Sequence, residues 1–437
     1  MNKISNSKLL VLSLMIFSMF FGAGNLILPP SLGNLAGTNL KLGLLGFLIS
    51  AVTLPILSIA AVAKSGGLYN LSQRVHPKFA LFFTMVIYLA IGPFLGIPRA
   101  ASLAFEMGVM PFMPEGFLSA KALLFIYTLV YFSVAYWLSM SPTKLPNRLG
   151  KILTPIILTL IGVVFIFSFS MPKAAVLESF EGYKSNPMST GFLEGYLTMD
   201  AIAGLNFGIV ITLVLKEFGL KKEKDIVRTS ISAGIIAGAL LTIIYIILAY
   251  LGSVSGVDPM SGKNGAEILT IIVINMFGPF GAVVLGVIFS LACLTTSVGL
   301  LTSCSEYFSR IMPKINYKTW VRLISLTSMF FANFGLNKIL EISVVALSLI
   351  YPIAIVLIIF GLIHNYIKSN NKIYLYGVGF TAVFSILEFI DKNIFELVFL
   401  EKLPLYSLGI GFIFPCVIGV LISYIFYFMN KEKARIN

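Results

Sequence analysis

Few residues in this chain could do chemistry, and those that could stand inside apolar segments. Asp200 lies in Gly195-Tyr196-Leu197-Thr198-Met199-Asp200-Ala201-Ile202-Ala203-Gly204. A carboxylate at bilayer depth costs at least about 2.5–3.5 kcal/mol, so it faces water or protein there and could hold a cation, an amine or a structural partner. On the other reading the helix begins later and Asp200 sits at the interface in its first turn. Asn25 lies in Phe20-Phe21-Gly22-Ala23-Gly24-Asn25-Leu26, and Arg99 in Gly96-Ile97-Pro98-Arg99-Ala100-Ala101, with Glu106 two turns further on. Arg99 could neutralise an anion, but a fixed ion pair with a carboxylate of another helix is the role expected of a buried arginine. Thr295, Thr296 and Ser297 follow one another in a third apolar run. Hydroxyls in such runs bond back to the carbonyl one turn earlier. Three in succession leave at least one facing the bundle, where oxygen ligands suit a hard cation.

The elements that must position these residues are membrane helices. Hydrophobic residues are 58% of the 437 and charged residues 11%, against about 25% charged in soluble domains. Apolar stretches of about 20 residues recur, each able to cross a hydrocarbon layer about 30 Å thick. Helices satisfy their own backbone there. Twelve spans are expected, at about 8–36, 42–63, 79–105, 119–140, 152–171, 192–215, 229–252, 279–305, 319–335, 340–363, 373–390 and 405–429. With short loops, residues 1–437 read as a single transmembrane domain. The longest polar stretch, about 172–191, holds Pro172, Glu178, Glu181 and Pro187.

A net charge of +13 does not point to nucleic acid, because lysine and arginine concentrate in alternate loops. The side of Lys3, Lys8, Arg148, Lys222, Lys368 and Arg435 carries 22 of them, against 8 on the side of Lys41, Lys173 and Lys402. The positive-inside rule then puts both termini in the cytoplasm. Lys3 and Lys8 before an apolar run resemble a signal peptide, yet the run continues past Ala23, so a retained first helix is expected. Cys293, Cys304 and Cys416 lie in or beside apolar segments, without disulfide or zinc spacing, and His76 and His364 stand at helix ends. No nucleophile–base spacing, phosphate-cradling loop or paired carboxylates occur. An enzyme, an organic cofactor and a nucleotide-driven pump are therefore disfavoured.

Two spans are chemically odd. The first and sixth place glycines and polar side chains at mid-span, where glycine costs about 1 kcal/mol and proline about 3 in a helix interior. A break is expected in each, exposing main-chain groups that are tolerated at this depth only beside a cavity or protein. Close small-residue packing explains the glycines, but not Asn25 or Asp200. The two stand five places apart in span order, and five is odd, so a second copy would be inverted. Broken helices at matching places in inverted halves mark the binding site of a secondary transporter.

At these motifs the chain resembles the bacterial branched-chain amino acid carriers of the leucine, isoleucine and valine cation symporter family, within the amino acid–polyamine–organocation superfamily. The matching stretches are FFGAGNLILPP (20–30), IGPFLGIPRAASLAFE (91–106), EGYLTMDAIAGLNFG (194–208), NGAEIL (264–269) and LACLTTSVGL (291–300). The resemblance implies an all-α membrane protein of LeuT-like fold. Its five-plus-five inverted repeat would occupy 8–171 and 192–363, with helices 1 and 6 discontinuous and two extra helices at 373–429. It implies one Na⁺ site made of the carbonyls of Ser18, Phe21 and Ala292 and the hydroxyls of Thr295 and Thr296. A second cation site would use Asn25, Thr198 and Asp200. The substrate carboxylate would meet amides at Gly22, Ala23 and Gly24, and its ammonium the carbonyls from Thr198 through Met199, Asp200 and Ala201 to Ile202. Relatives often have threonine where Ala100 follows Arg99. The implied activity is Na⁺-coupled import of leucine, isoleucine and valine across the bacterial cytoplasmic membrane. The alternatives are another small amino acid or H⁺ coupling on the same fold, with a channel and a membrane enzyme as rivals of other classes.

Overall fold

The computed structural model describes residues 4–113, 119–169, 174–180, 182–367, 370 and 372–436. Lys3, Pro172, Lys173, Glu181 and Lys368 lie outside the described residues, as do the side chains of Lys431, Lys433 and Arg435. Among the described residues every regular element is helical. Eight helices are long and apolar enough to cross a membrane, nine when one bent pair counts as a single span. One of the eight, Ala23–Ser65, turns back on itself near Gly37 and holds the end of one crossing and all of the next.

Span 1 is the pair Asn6–Phe20 and Ala23–Ala36, span 2 covers residues 40–65, span 3 residues 77–108, span 4 Ala120–Ser139 and span 5 residues 146–168. Span 6 is the pair Pro187–Tyr196 and Asp200–Glu217, span 7 Glu223–Ser253, span 8 Pro279–Ile311, span 9 Tyr317–Ala332 and span 10 Leu336–Ile367. Spans 11 and 12 are Lys372–Asn393 and Ile413–Ile436. Exchanging the two halves maps the packing onto itself. Span 1 lies on span 7 as span 6 lies on span 2, span 3 lies on span 8, and span 8 meets span 4 as span 3 meets span 9. Spans 11 and 12 pack on each other and, through span 11, on span 10.

Both breaks have a local cause. Phe21 (φ −71°, ψ 90°) and Gly22 (φ −129°, ψ −151°) are extended. Asn25 Oδ1 accepts the Gly22 N–H at 3.0 Å, so the first turn of the new helix caps its own start. In span 6 the chain leaves the helix after Tyr196, passes through left-handed Met199 (φ 68°) and restarts at Asp200, bending by 40°. Thr198 Oγ1 donates to the Gly195 carbonyl at 2.8 Å and accepts the Asp200 N–H at 3.3 Å. These caps restart the helix earlier than the sequence suggested. Asp200, Ala201 and Ile202 therefore lie in regular helix, and the break itself is Leu197, Thr198 and Met199. Asp200 does open a helix, but in the interior and not at an interface, being 3% exposed.

Span 6 begins at Pro187, inside the stretch read as loop. A further helix, Gly265–Phe277, was not expected. Its 13 residues reach only about 20 Å, too short to cross. Asn264 caps it, accepting from the amides of Ala266 and Glu267 while Glu267 Oε2 accepts the Asn264 N–H at 2.8 Å. It packs on Ala23–Ala36 and on span 8.

Glycine sets the closest approaches. A Cβ on Gly33 would collide with the Ala249 carbonyl, and one on Gly252 with that of Pro30, so the backbones of spans 1 and 7 touch. Nothing lies within 4 Å of the corresponding point at Gly162 in span 5. Gly33→Ala is expected to cost about 1–3 kcal/mol by overpacking, and Gly162→Ala to gain about 0.5–1 kcal/mol from helix propensity. Thermal unfolding in detergent measures both, and shifts of the same sign would contradict this packing.

Candidate functional site

The two breaks face each other at the middle of the bundle. Asn25 Nδ2 donates to Asp200 Oδ2 at 2.5 Å and also bonds Tyr245 Oη of span 7. The Tyr245 hydroxyl itself donates to Asp200 Oδ2 at 3.3 Å. One asparagine thus caps the second half of span 1 through its oxygen and ties it to spans 6 and 7 through its nitrogen. All three side chains are buried. Nothing marked Tyr245 in the sequence beyond a polar tip in an apolar helix, because its partners come from other spans.

Arg99 reaches the break in span 6, where Nη1 donates to the Leu197 carbonyl at 2.7 Å. The ion pair expected for it is absent. The ion pairs among the described residues are Arg310–Glu306, Lys338–Glu341 and Lys392–Glu388. A carbonyl freed by the helix break takes the place of a carboxylate, which no sequence pattern announces.

A second cluster consists of oxygens. Thr295 Oγ1 lies 2.9 Å from the carbonyl of Ser18, in the last turn before the first break, and 2.9 Å from that of Ala292. Thr296 Oγ1 lies 3.4 Å from the same Ser18 oxygen. Span 8 therefore packs on span 1 as a cation site requires. Phe21 stands at the turn itself, its N–H on the Phe17 carbonyl at 2.8 Å. A Cβ at Gly22 would come 2.7 Å from Thr296 Oγ1, so only glycine lets the chain pass this hydroxyl undisturbed.

Between the clusters lies a cavity of about 30 Å³. Its polar lining comes from Asn25, Arg99, Thr198, Asp200 and Thr296 beside backbone at Gly22, Ala23 and Gly24, and its apolar lining includes Met199, Phe20, Ile91, Ala203 and Leu300. Ala201 and Ile202 are buried but do not line it. The Gly22 amide, assigned above to a substrate, is already held by Asn25. The cavity holds about one water, whereas small-molecule pockets measure about 300–1,000 Å³. The cavity is closed, and anything larger than an ion or water needs it to widen.

Two discontinuous helices from opposed halves, meeting over a small polar cavity, are the arrangement in which membrane transporters bind their cargo. The sequence model of the family described as branched-chain amino acid transport protein matches residues 5–430, and the chain belongs to that family. It is 42% identical to the branched-chain amino acid permease BraB of Bacillus subtilis strain 168, over 98% of this chain and 97% of that protein. It is 38% identical to the branched-chain amino acid transport system 2 carrier protein of Pseudomonas aeruginosa, over 97% of each chain. The fold is similar to MhsT in complex with L-phenylalanine, at a TM-score of 0.60 and 16% identity, over 97% of this chain and 99% of that one. It is likewise similar to the nucleobase-cation-symport-1 transporter Mhp1 in a closed conformation, at 0.60 and 14%, over 95% and 91%. The protein is a multi-pass membrane transporter, not an enzyme.

Asn25 serves three partners and Tyr245 two. Asn25→Ala is expected to lower stability by about 3 kcal/mol, and Tyr245→Phe by about half as much, as buried bonds to a charged group are lost. Unfolding in detergent without substrate measures this order, and equal losses would show that Asn25 does not join the spans.

Proposed function

We propose that the protein is a symporter that imports leucine, isoleucine and valine with Na⁺ by alternating access. It sits in a bacterial cytoplasmic membrane with both termini inside and uses no other cofactor or nucleotide-binding subunit. The relatives named as branched-chain amino acid permeases and carriers support the substrate class. The observation that carries Na⁺ coupling is the oxygen cluster of Ser18, Ala292, Thr295 and Thr296. Carbonyls at the end of a half-helix and hydroxyls from a neighbour are the ligands such ions take in broken-helix transporters. The hydroxyl hydrogens that now point at carbonyls turn aside when an ion arrives, leaving oxygen lone pairs inward. An ion held by both Ser18 and span 8 fixes span 1 against span 8, which ties the gradient to closure of the site.

In the same reading the substrate enters between the breaks. Its carboxylate lies toward the positive end of half-helix Ala23–Ala36, its ammonium toward Asp200 and the Leu197 end of the first half of span 6, and its aliphatic chain against Ile91, Ala203 and Leu300. Asn25, Thr198 and Asp200 also supply oxygens for a second cation. One Na⁺ moving through 100 mV releases about 2.3 kcal/mol, enough for about 50-fold accumulation.

Leucine uptake into proteoliposomes is expected to need inward Na⁺ at fixed pH. Thr295→Ala and Thr296→Ala are each expected to raise the half-saturating Na⁺ concentration about tenfold or more while the protein stays folded. Unchanged Na⁺ dependence in both variants removes this site. Uptake driven by a pH gradient alone would transfer the coupling role to Asp200.

A further inference from the structure

Arg99 has more hydrogen-bonding capacity than the chain uses. It is 3% exposed, and Nη1 alone has a partner, the Leu197 carbonyl. Nε and Nη2 are buried with none. Charged donors left unmatched inside a protein are strongly unfavourable, so the arrangement is complete only when something from outside the chain accepts from them. Guanidinium N–H groups match a carboxylate two at a time.

The surroundings say what that carboxylate belongs to. Arg99 lines the central cavity together with Gly24, Asn25, Thr198 and Asp200. Its Nη2 lies 3.0 Å from where a Cβ on Gly24 would stand, so the guanidinium faces the first turn of half-helix Ala23–Ala36. That helix end is itself electropositive. Asp200 lines the same cavity, yet its partners are the neutral donors Asn25 and Tyr245. A buried guanidinium and a buried carboxyl group thus share one cavity without a direct ion pair between them. A zwitterion laid between them answers both.

We propose that Arg99 binds the α-carboxylate of the transported amino acid through Nε and Nη2, making it the residue that demands a carboxylate. This rests on the reading that the substrate is an amino acid. The half-helix amides at Ala23 and Gly24 then assist the guanidinium and do not replace it. The one bond Arg99 already makes, to Leu197, fixes the fork at the break in span 6, so carboxylate recognition and the geometry of that break are coupled.

The test is competition binding to the purified full-length protein in detergent with Na⁺, comparing leucine with leucinamide, which keeps the ammonium and side chain but has a neutral amide for the carboxylate. Wild-type protein is expected to prefer leucine by about 100-fold or more. In Arg99→Gln the preference narrows to within about threefold, and Arg99→Lys, with charge but no fork, falls between. A purely structural role for Arg99 would weaken both ligands together, so a preference kept at the wild-type ratio in Arg99→Gln overturns the proposal. Should Arg99→Gln not fold, Arg99→Lys carries the test, and an undiminished ratio there overturns it equally. Wild-type protein that binds neither ligand would defeat the amino acid reading itself, and this inference with it.

Discussion

Interrupting a helix inside a membrane leaves main-chain donors and acceptors that lipid cannot satisfy, each at a cost of several kcal/mol. Four of the side chains described above bear directly on those groups. Asn25 takes the Gly22 amide, Thr198 bridges the Gly195 carbonyl and the Asp200 amide, Arg99 takes the Leu197 carbonyl, and Thr295 takes that of Ser18. The breaks are thus held by spans 3 and 8 as well as by themselves. A ligand that competes for any of these groups changes how the halves are held together.

The same cluster explains why charge is tolerated here. Asp200 opens a half-helix, where the positive end of the dipole favours a carboxylate, and two neutral donors from spans 1 and 7 complete it. Arg99 lines the same cavity with capacity to spare. At about 30 Å³ the cavity is closed around this pair. The residues that line it come from spans 1, 3, 6 and 8, and the oxygen cluster lies where the first and last of these meet. Contacts in which backbone meets backbone at glycine, as at Gly33 and Gly252, hold spans 1 and 7 in close register.

Much of this was legible in the sequence. A carboxylate, an asparagine and clustered glycines at mid-span conflict with lipid, so both breaks could be read from composition, and their offset of five places in span order gave the inversion. The apolar runs located the spans, but the second half of the polar stretch before span 6 was misjudged, because Pro187 begins a helix as readily as it ends a loop, and the helix of span 12 begins at Ile413, not near residue 405. The short helix after Asn264 escaped notice because its 13 residues fall below a crossing length, although the capping pair Asn264 and Glu267 was there to be read.

Hydropathy, helix propensity and the cost of a buried charge act along the chain. For that reason the sequence by itself determined the class, the span count, the broken helices and which residues are out of place in lipid. Only the tertiary structure decided what those residues meet. The entry of Tyr245, the exchange of an expected carboxylate for the Leu197 carbonyl at Arg99, and the meeting of Ser18 with Thr295 all join atoms of different spans. Such partners are chosen by packing across separations of 45 to 277 residues, and a directional bond of about 3 Å leaves no periodic trace in either segment that makes it.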